Sequence, residues 1–300
     1  METKTDFTED IVHQWRKTWA KKDIQNLVDS CSKDTVGLSY FRKYFSKDGT
    51  ILECGCGLGQ WLVYLEREGY KMVGVEIVSD CIDACKSFFP ETKIYTGDVR
   101  ALPFEENSFD GYISIGVLEH MIEGPETVVQ EMQRVLKPGG VAVITVPAMN
   151  IFMQWWYPLR TFLVQQLRYN QFFRSVFAKS IRAFSSADLK SRMRDIQKEL
   201  RPEFWASVGA DQEKGLVFIE YKFRRDQLEK MFSAQSLKII ESVPIKHPYA
   251  ISDNFGRYFF KNRNALSGEL NFLGRCIYSI FTALHKDFFN YINLIVVQKK

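Results

Sequence analysis

Residues 51–61 read ILECGCGLGQW: a short apolar run that meets an acid at Glu53, then glycines at 55, 57 and 59, then a helical apolar pattern. Glycine at such a bend lets the chain visit φ > 0 and lets backbone approach a ligand with no Cβ in the way. The helix beyond begins with N–H groups that have no intrahelical partner. Loops that seat a dinucleotide pyrophosphate share this design, but their third glycine comes three places after the second. Here that position is Gln60, and the glycine comes one place early, at Gly59. Glu53 is also unwelcome beside a pyrophosphate, whereas a ligand carrying an ammonium group is suited by it. A tight strand-to-helix turn accounts for the glycines and leaves the acid unexplained.

Outward from this loop, short apolar runs alternate with helical patterns. Strands are predicted at 50–54, 71–76, 93–97, 110–115 and 140–146, and helices at 59–68, 79–88 and 125–136. Lys137-Pro-Gly-Gly140 stops the last helix and feeds the next strand. Fully apolar strands between helices imply a parallel sheet covered on both faces. After Pro147 the rhythm breaks for nearly seventy residues. It resumes with an amphipathic helix from Phe223, strand 237–243, a second irregular stretch, and a closing strand at 291–298. The second strand ends at Glu76, 21 residues after Gly55, where a carboxylate suits the two hydroxyls of a ribose; a place in the cap of the helix after it is the alternative. The third strand ends at Asp98, within reach of an adenine amino group, or else a cap for its own turn.

These segments resemble the class I S-adenosylmethionine-dependent methyltransferases, particularly the group of ubiquinone and menaquinone methylases. The matching phrases are ILECGCGLGQW, VGVEIVSD, GDVRALPFEENSFDGYISIGVLEH and EMQRVLKPGGVAVITVP, over residues 50–147. The resemblance implies an α/β, Rossmann-like, doubly wound seven-stranded sheet in the order 3-2-1-4-5-7-6, the last strand antiparallel. It implies S-adenosylmethionine as cofactor, S-adenosylhomocysteine as product, and cofactor contacts at matching positions. Glu53, Gly55, Cys56, Gly57 and Gly59 would surround the methionine end, Glu76 with Ile77 the ribose, and Asp98 with Val99 the adenine. Ser114, Ile115 and Gly116 would wall the sulfonium side, with Glu119 and His120 close to where the methyl leaves.

A sulfonium is already a good leaving group, so such an enzyme mainly aligns an acceptor and excludes water. A base is needed only to uncover the acceptor. His120 is the first candidate and His247 the second, each with the bland alternative of a histidine bonded to solvent or a helix cap. Strand four is followed by SIGVLEH, not by the Asp/Asn-Pro-Pro-Tyr of base-amine methylases, and no carboxylate triad for a metal stands out. The expected activity is methyl transfer to oxygen or carbon of a small-molecule or lipid-linked acceptor. The alternative of another class is a non-catalytic S-adenosylmethionine-binding module that regulates a partner.

The 300 residues, 46% hydrophobic and 25% charged, suit one globular unit. We expect a single domain: cap helices over 1–48, a cofactor core over 49–147, a lid insertion over 148–222, and a C-terminal part, 223–300, with a second insertion at 246–290. The six cysteines follow no zinc spacing, which favours reduced thiols and a cytoplasmic setting. Trp15, Trp19 and Tyr40 are expected over the ligand side of the sheet. No acid occurs between Met132 and Ala187, while residues 151–184 mix aromatics with arginine and lysine. That stretch reads as a lid, as a face for anionic membrane, or, least favoured, as a nucleic-acid surface. A second amphipathic pattern runs through Leu266, Leu270, Leu273, Ile277 and Leu284.

Overall fold

In the computed structural model, which describes residues 7–159, 194–211, 215–246, 250–251, 256–261 and 269–300, three helices precede the sheet. They are α1 (Phe7–Trp19), α2 (Ile24–Cys31) and α3 (Thr35–Tyr44). The Asp23 and Asp34 carboxylates accept from the N–H groups of Asn26 and Gly37, which caps α2 and α3. The core then alternates β1 (Thr50–Cys54), α4 (Gln60–Arg67), β2 (Lys71–Glu76), α5 (Ser79–Phe88), β3 (Ile94–Thr96), β4 (Phe109–Ile115), α6 (Glu126–Val135) and β5 (Leu136–Pro147). A hairpin of β6 (Trp205–Asp211) and β7 (Gly215–Lys222) follows, then α7 (Arg225–Ala234), β8 (Leu237–Lys246), α8 (Phe272–Leu284) and β9 (Asn290–Lys299).

The main sheet runs β3-β2-β1-β4-β5-β9-β8. The first five strands pair in parallel and β9 runs antiparallel to both of its neighbours. With strands renumbered within this sheet, that is the expected order. Period-two alternation sends Leu52, Tyr112, Ala142, Ile144, Ile295 and Val297 to one face, against α6 and α7. Ile51, Ile113, Val143, Leu294 and Val296 face the other way, onto α2–α5. Both faces are thereby dry, and the parallel strands need no polar side. The LKPGG segment behaves differently from its reading as a stop before the strand. Strand pairing already starts at Leu136 with Phe109, and the register slips before Gly111–Val141, with Gly139 at φ +80°.

The segment after Pro147 holds more order than its irregular sequence suggests. Residues 151–159 are helical, and β6–β7 pair antiparallel. Buried Tyr221 pins this hairpin: its hydroxyl donates to the Ile122 carbonyl at 2.7 Å and accepts from the Arg201 N–H at 2.8 Å. The second amphipathic pattern is rotated from expectation. Ile277, Tyr278 and Phe281 of α8 pack against Phe288 and Phe289, whereas Leu273 and Leu284 are exposed. Leu266 and residues 160–184 lie outside the described residues. Among those described, no helix is long and apolar enough to cross a membrane.

Tyr221→Phe removes one acceptor and one donor at once and strands a buried carbonyl. The expected cost is about 1–3 kcal/mol, seen as a fall of several degrees in the midpoint of thermal unfolding followed by circular dichroism. An unchanged midpoint would show that the hairpin is held by its apolar face alone.

Candidate functional site

The carboxyl ends of β1, β2, β3 and β4 come together at one rim, where an α/β sheet of this kind binds its ligands. Gly55 and Gly57, at φ +66° and +56°, make the bend after β1. A Cβ on Gly55 would overlap Val117, and one on Gly57 would overlap the ring of Trp19. The bend is tied to the neighbouring strand: the N–H groups of Gly55 and Cys56 both donate to the Val75 carbonyl. One Glu76 oxygen accepts from the Gly57 N–H at 2.8 Å, and the other from Ile77 at 2.9 Å and Val78 at 3.0 Å. Burial raises the pKa of Glu76, while the three N–H donors oppose the rise.

A cleft of about 590 Å³, its open mouth included, runs along this rim. Its walls include Gly55, Glu76, Ile77, Asp98, Val99 and Gly116, with His120 at one end. Ile11, Trp15 and Trp19 of α1 form its roof. Trp15 stacks on Trp19 at 5.8 Å and meets the His120 ring edge-on at 4.9 Å. Arg16 fastens the same helix to Asp80 at 2.9 Å. Tyr40, expected over this side, does not line the cleft; it stacks on Tyr44 in α3.

The remaining residues read from sequence divide into three sets. Asp98 is in the cleft wall but gripped by Arg100, whose Nη2 lies 2.6 Å from Oδ2. Burial pushes Asp98 up, but its hydrogen bonds with Arg100 bring it below the ordinary carboxylate range. Glu53, Cys56 and Ser114 are buried beneath the rim and do not form the cleft wall. Glu53 receives the Leu62 N–H in the first turn of α4, its Oε2 has no partner, and burial pushes its pKa up to about 8. Gly59 begins α4 in a left-handed conformation and backs onto Cys85.

The third set leads elsewhere. Ile115 and Glu119 line a second cavity, with Thr145, Glu220, Lys222 and Tyr291, and Gly116 belongs to both walls. His120 keeps its Nδ1 2.7 Å from the Ile219 carbonyl of β7. Burial lowers its pKa, against the carbonyls of Ile219 and Gly116, so the ring is neutral at pH 7. His247 lies outside the described residues. Sequence reading missed Trp15 as the partner of His120, Arg100 as the partner of Asp98, and every β7 residue at the rim. The signal for β7 was the β-branched and aromatic run Leu216-Val-Phe-Ile-Glu-Tyr-Lys222, in which Leu216, Val217 and Phe218 are buried and, past a register slip at Ile219, Glu220 and Lys222 line the cavity.

The cleft is suited to S-adenosylmethionine. A glycine bend at Gly55, a buried carboxylate beside it at Glu76, and an acid–apolar pair just past β3 follow one another along a single wall. A family model described as a methyltransferase domain matches residues 52–144. Demethylmenaquinone methyltransferase of Oceanobacillus iheyensis is 26% identical over 220 residues, covering 68% of this chain and 87% of that protein. The enzyme of the same name from Staphylococcus aureus is 31% identical over 159 residues, 48% of this chain and 64% of its own. The fold is shared with a S-adenosylmethionine-dependent methyltransferase from Methanosarcina mazei, with a TM-score of 0.52, 17% identity, and coverage of 87% and 96%. The chain is a class I S-adenosylmethionine-dependent methyltransferase. Within that class it is similar to the demethylmenaquinone methyltransferases, and it is an enzyme with S-adenosylmethionine as its cofactor.

The buried acid Glu53 makes a prediction for stability. Its carboxyl ionises near pH 4.5 when unfolded and near 8 when folded, so between those values the unfolded state holds fewer protons. Its contribution to stability is therefore full below about pH 4.5 and is lost as pH rises toward 8. Glu53→Gln removes this slope: urea melts from pH 5 to 8 should show the variant gaining on the wild-type protein as pH rises. Parallel curves would mean that Glu53 is ionised in the folded protein.

Proposed function

We propose that the enzyme transfers a methyl group to a quinol-type acceptor, a dihydroxylated aromatic ring carrying an apolar chain, at ring carbon or ring oxygen. The observation that carries this reading is the adjoining of two cavities at Gly116, one suited to the cofactor and one with polar groups set in apolar walls. The names of the relatives point to the same ring class. Tyr291 in the second cavity also packs in a cluster with Phe152, Phe281, Phe288 and Phe289, which offers an apolar path for a chain.

The residue roles in this reading are as follows. S-adenosylmethionine, when bound, supplies an activated methyl on a sulfonium. Gly55, Cys56, Gly57 and Gly59 shape the bed of the methionine end, with the Glu53 carboxyl beneath it giving up its proton to water as an ammonium arrives. Glu76, with Ile77 beside it, accepts from the ribose hydroxyls through lone pairs not used by the loop. Asp98 and Val99 hold the adenine. Gly116 lets the two cavities meet, Ser114 and Ile115 back it, and His120 with Trp15 closes the cofactor end against water. His120 fixes a wall; its Nδ1 is committed to Ile219.

An apolar chain implies delivery from a lipid surface. Phe272, Leu273, Ile280 and Leu284 of α8 are exposed, Arg275 and Lys286 accompany them, and Trp155 and Leu159 are exposed in the 151–184 stretch. Such a face suits the headgroup region of an anionic bilayer.

Three measurements test this reading. Calorimetry should show S-adenosylmethionine binding to the wild-type protein, and Glu76→Ala should weaken it at least tenfold, because the substitution removes the ribose acceptor and unties the loop; unchanged affinity would end the ribose assignment. Mass spectrometry should find a monomethylated product from a reduced short-chain prenyl naphthoquinol, and absence of that product would remove the quinol class. Cosedimentation with phosphatidylglycerol vesicles should fall with added salt and with Leu273→Asp/Leu284→Asp, whereas no cosedimentation at low salt would remove the membrane.

A further inference from the structure

The group that accepts a proton from the acceptor has a candidate that the sequence placed in the cofactor site. Glu119 sits in the short 3-10 turn Leu118–His120 after β4, its side chain only 3% exposed. Its Oε2 has no hydrogen-bond partner, and it lines the second cavity and not the cofactor cleft. A buried carboxyl with one oxygen unpartnered, in the wall of a cavity, is costly unless something enters to satisfy it. The cavity holds about 530 Å³ with its mouth, and its other polar groups are Thr145, Glu220, Lys222 and Tyr291. Gly116, shared with the cofactor cleft, separates Glu119 from that cleft by a residue without a side chain, and a Cβ there would come 3.5 Å from Glu119 Oε1.

We propose that this second cavity is the acceptor site, and that Glu119 binds the acceptor's ring hydroxyl and takes its proton as the methyl group is transferred. The inference rests on the methyltransferase reading above and adds the acceptor's seat and its base. The step balances without a further reagent. The acceptor O–H bond breaks and its proton passes to Glu119; the electron pair left on the ring system forms the new bond to the methyl carbon; the pair of the sulfur–methyl bond stays on sulfur. At a ring oxygen this completes transfer, and Glu119 later releases the proton to water. At a ring carbon the displaced ring proton leaves to water and Glu119 returns its own to the oxygen, so one proton is released in either case.

The surroundings suit the role. Burial, reinforced by Glu220, pushes the Glu119 carboxyl up to about 8, where it is a far stronger base than an exposed glutamate. The charged and titratable groups facing it are His120 on its own turn, Glu220 and Lys222 on β7, and Tyr291 on β9; β4 and β5 present Ile115, Thr145, Val146 and Pro147, none of them titratable. Lys222 lies 3.6 Å from Glu220 and offsets its charge. The His120 Nε2 is 4.0 Å from Glu119 Oε1, beyond hydrogen-bond reach, and neutral, so it does not hold Glu119 ionised.

The test uses the full chain and 1-naphthol, a redox-stable phenol, in two arms. In the binding arm, 1-naphthol fluorescence is titrated with protein saturated in S-adenosylhomocysteine. The wild-type protein should bind, Glu119→Gln should weaken binding at least fivefold, and Thr145→Phe, which fills the cavity, should do the same, with thermal midpoints confirming that both fold. In the rate arm, S-adenosylhomocysteine release with the prenyl naphthoquinol should climb with pH to a plateau above about 8. Glu119→Gln should cut kcat about 100-fold, raise KM in step with the weaker binding and erase that limb, and Glu119→Asp should restore part of it. No 1-naphthol binding by the wild-type protein, or binding and rate untouched in Glu119→Gln, overturns the proposal. Binding that follows the prediction while the naphthoquinol gives no product supports the acceptor site and instead removes the quinol class.

Discussion

Glu76 is shared between two jobs, and the rim is built around that sharing. Its carboxylate lies at the tip of β2 and takes backbone N–H groups from both sides: Gly57 from the bend after β1, and Ile77 and Val78 from its own turn into α5. Without these bonds the Gly55–Gly59 bend would carry buried donors with no acceptor, and the first two strands would lose their common edge. Burial raises its pKa, and the three N–H dipoles that converge on it work against that rise. The same carboxylate still faces the cleft. A substitution here therefore touches loop geometry and ligand capture together, and only variants that separate the two report on either.

The opposite end of the rim is organised by backbone and not by charge. β7 reaches the turn after β4 through the Ile219 carbonyl on His120, and Tyr221 anchors the same strand to Ile122. That contact places Glu220 and Lys222 over the Glu119 cavity. The sheet thus supplies one half of the chamber and the insertion the other, which is how a common scaffold takes a particular acceptor. Gly116 is shared between this chamber and the cofactor cleft.

The main sheet was legible because each strand from Thr50 to Pro147 is a continuous apolar run bounded by glycine or a capping acid, and because the ligand-end acids sit at strand tips. Glu76 could be placed by spacing and Asp98 by its position at a strand end. Glu53 could be picked out but not oriented: period-two alternation puts it under the bend, and only the packing of α4 shows its Leu62 partner. Glu119 was placed near the departing methyl by the resemblance alone, and the structure sets it in the wall of the second cavity and not of the cofactor cleft. The hairpin was missed because its seven- and eight-residue strands lie deep in a stretch with mixed signals, and its contacts with Ile122 and His120 are about a hundred residues away in sequence. The stripe through Leu273, Ile277 and Leu284 failed for a related reason: α8 has apolar residues on nearly every side, so periodicity alone does not choose which of them face inward.

The roof of the cofactor cleft has a consequence of an optical kind. Trp15 and Trp19 are stacked rings in contact with the chamber itself, one touching the His120 imidazole and the other the bend at Gly57. Paired indoles at this separation share excitation, and a neighbouring neutral imidazole or sulfonium alters how quickly that excitation decays. A molecule that enters the chamber comes against both indoles, so its arrival has a direct route into the protein's own near-ultraviolet signal, without a dye or a label.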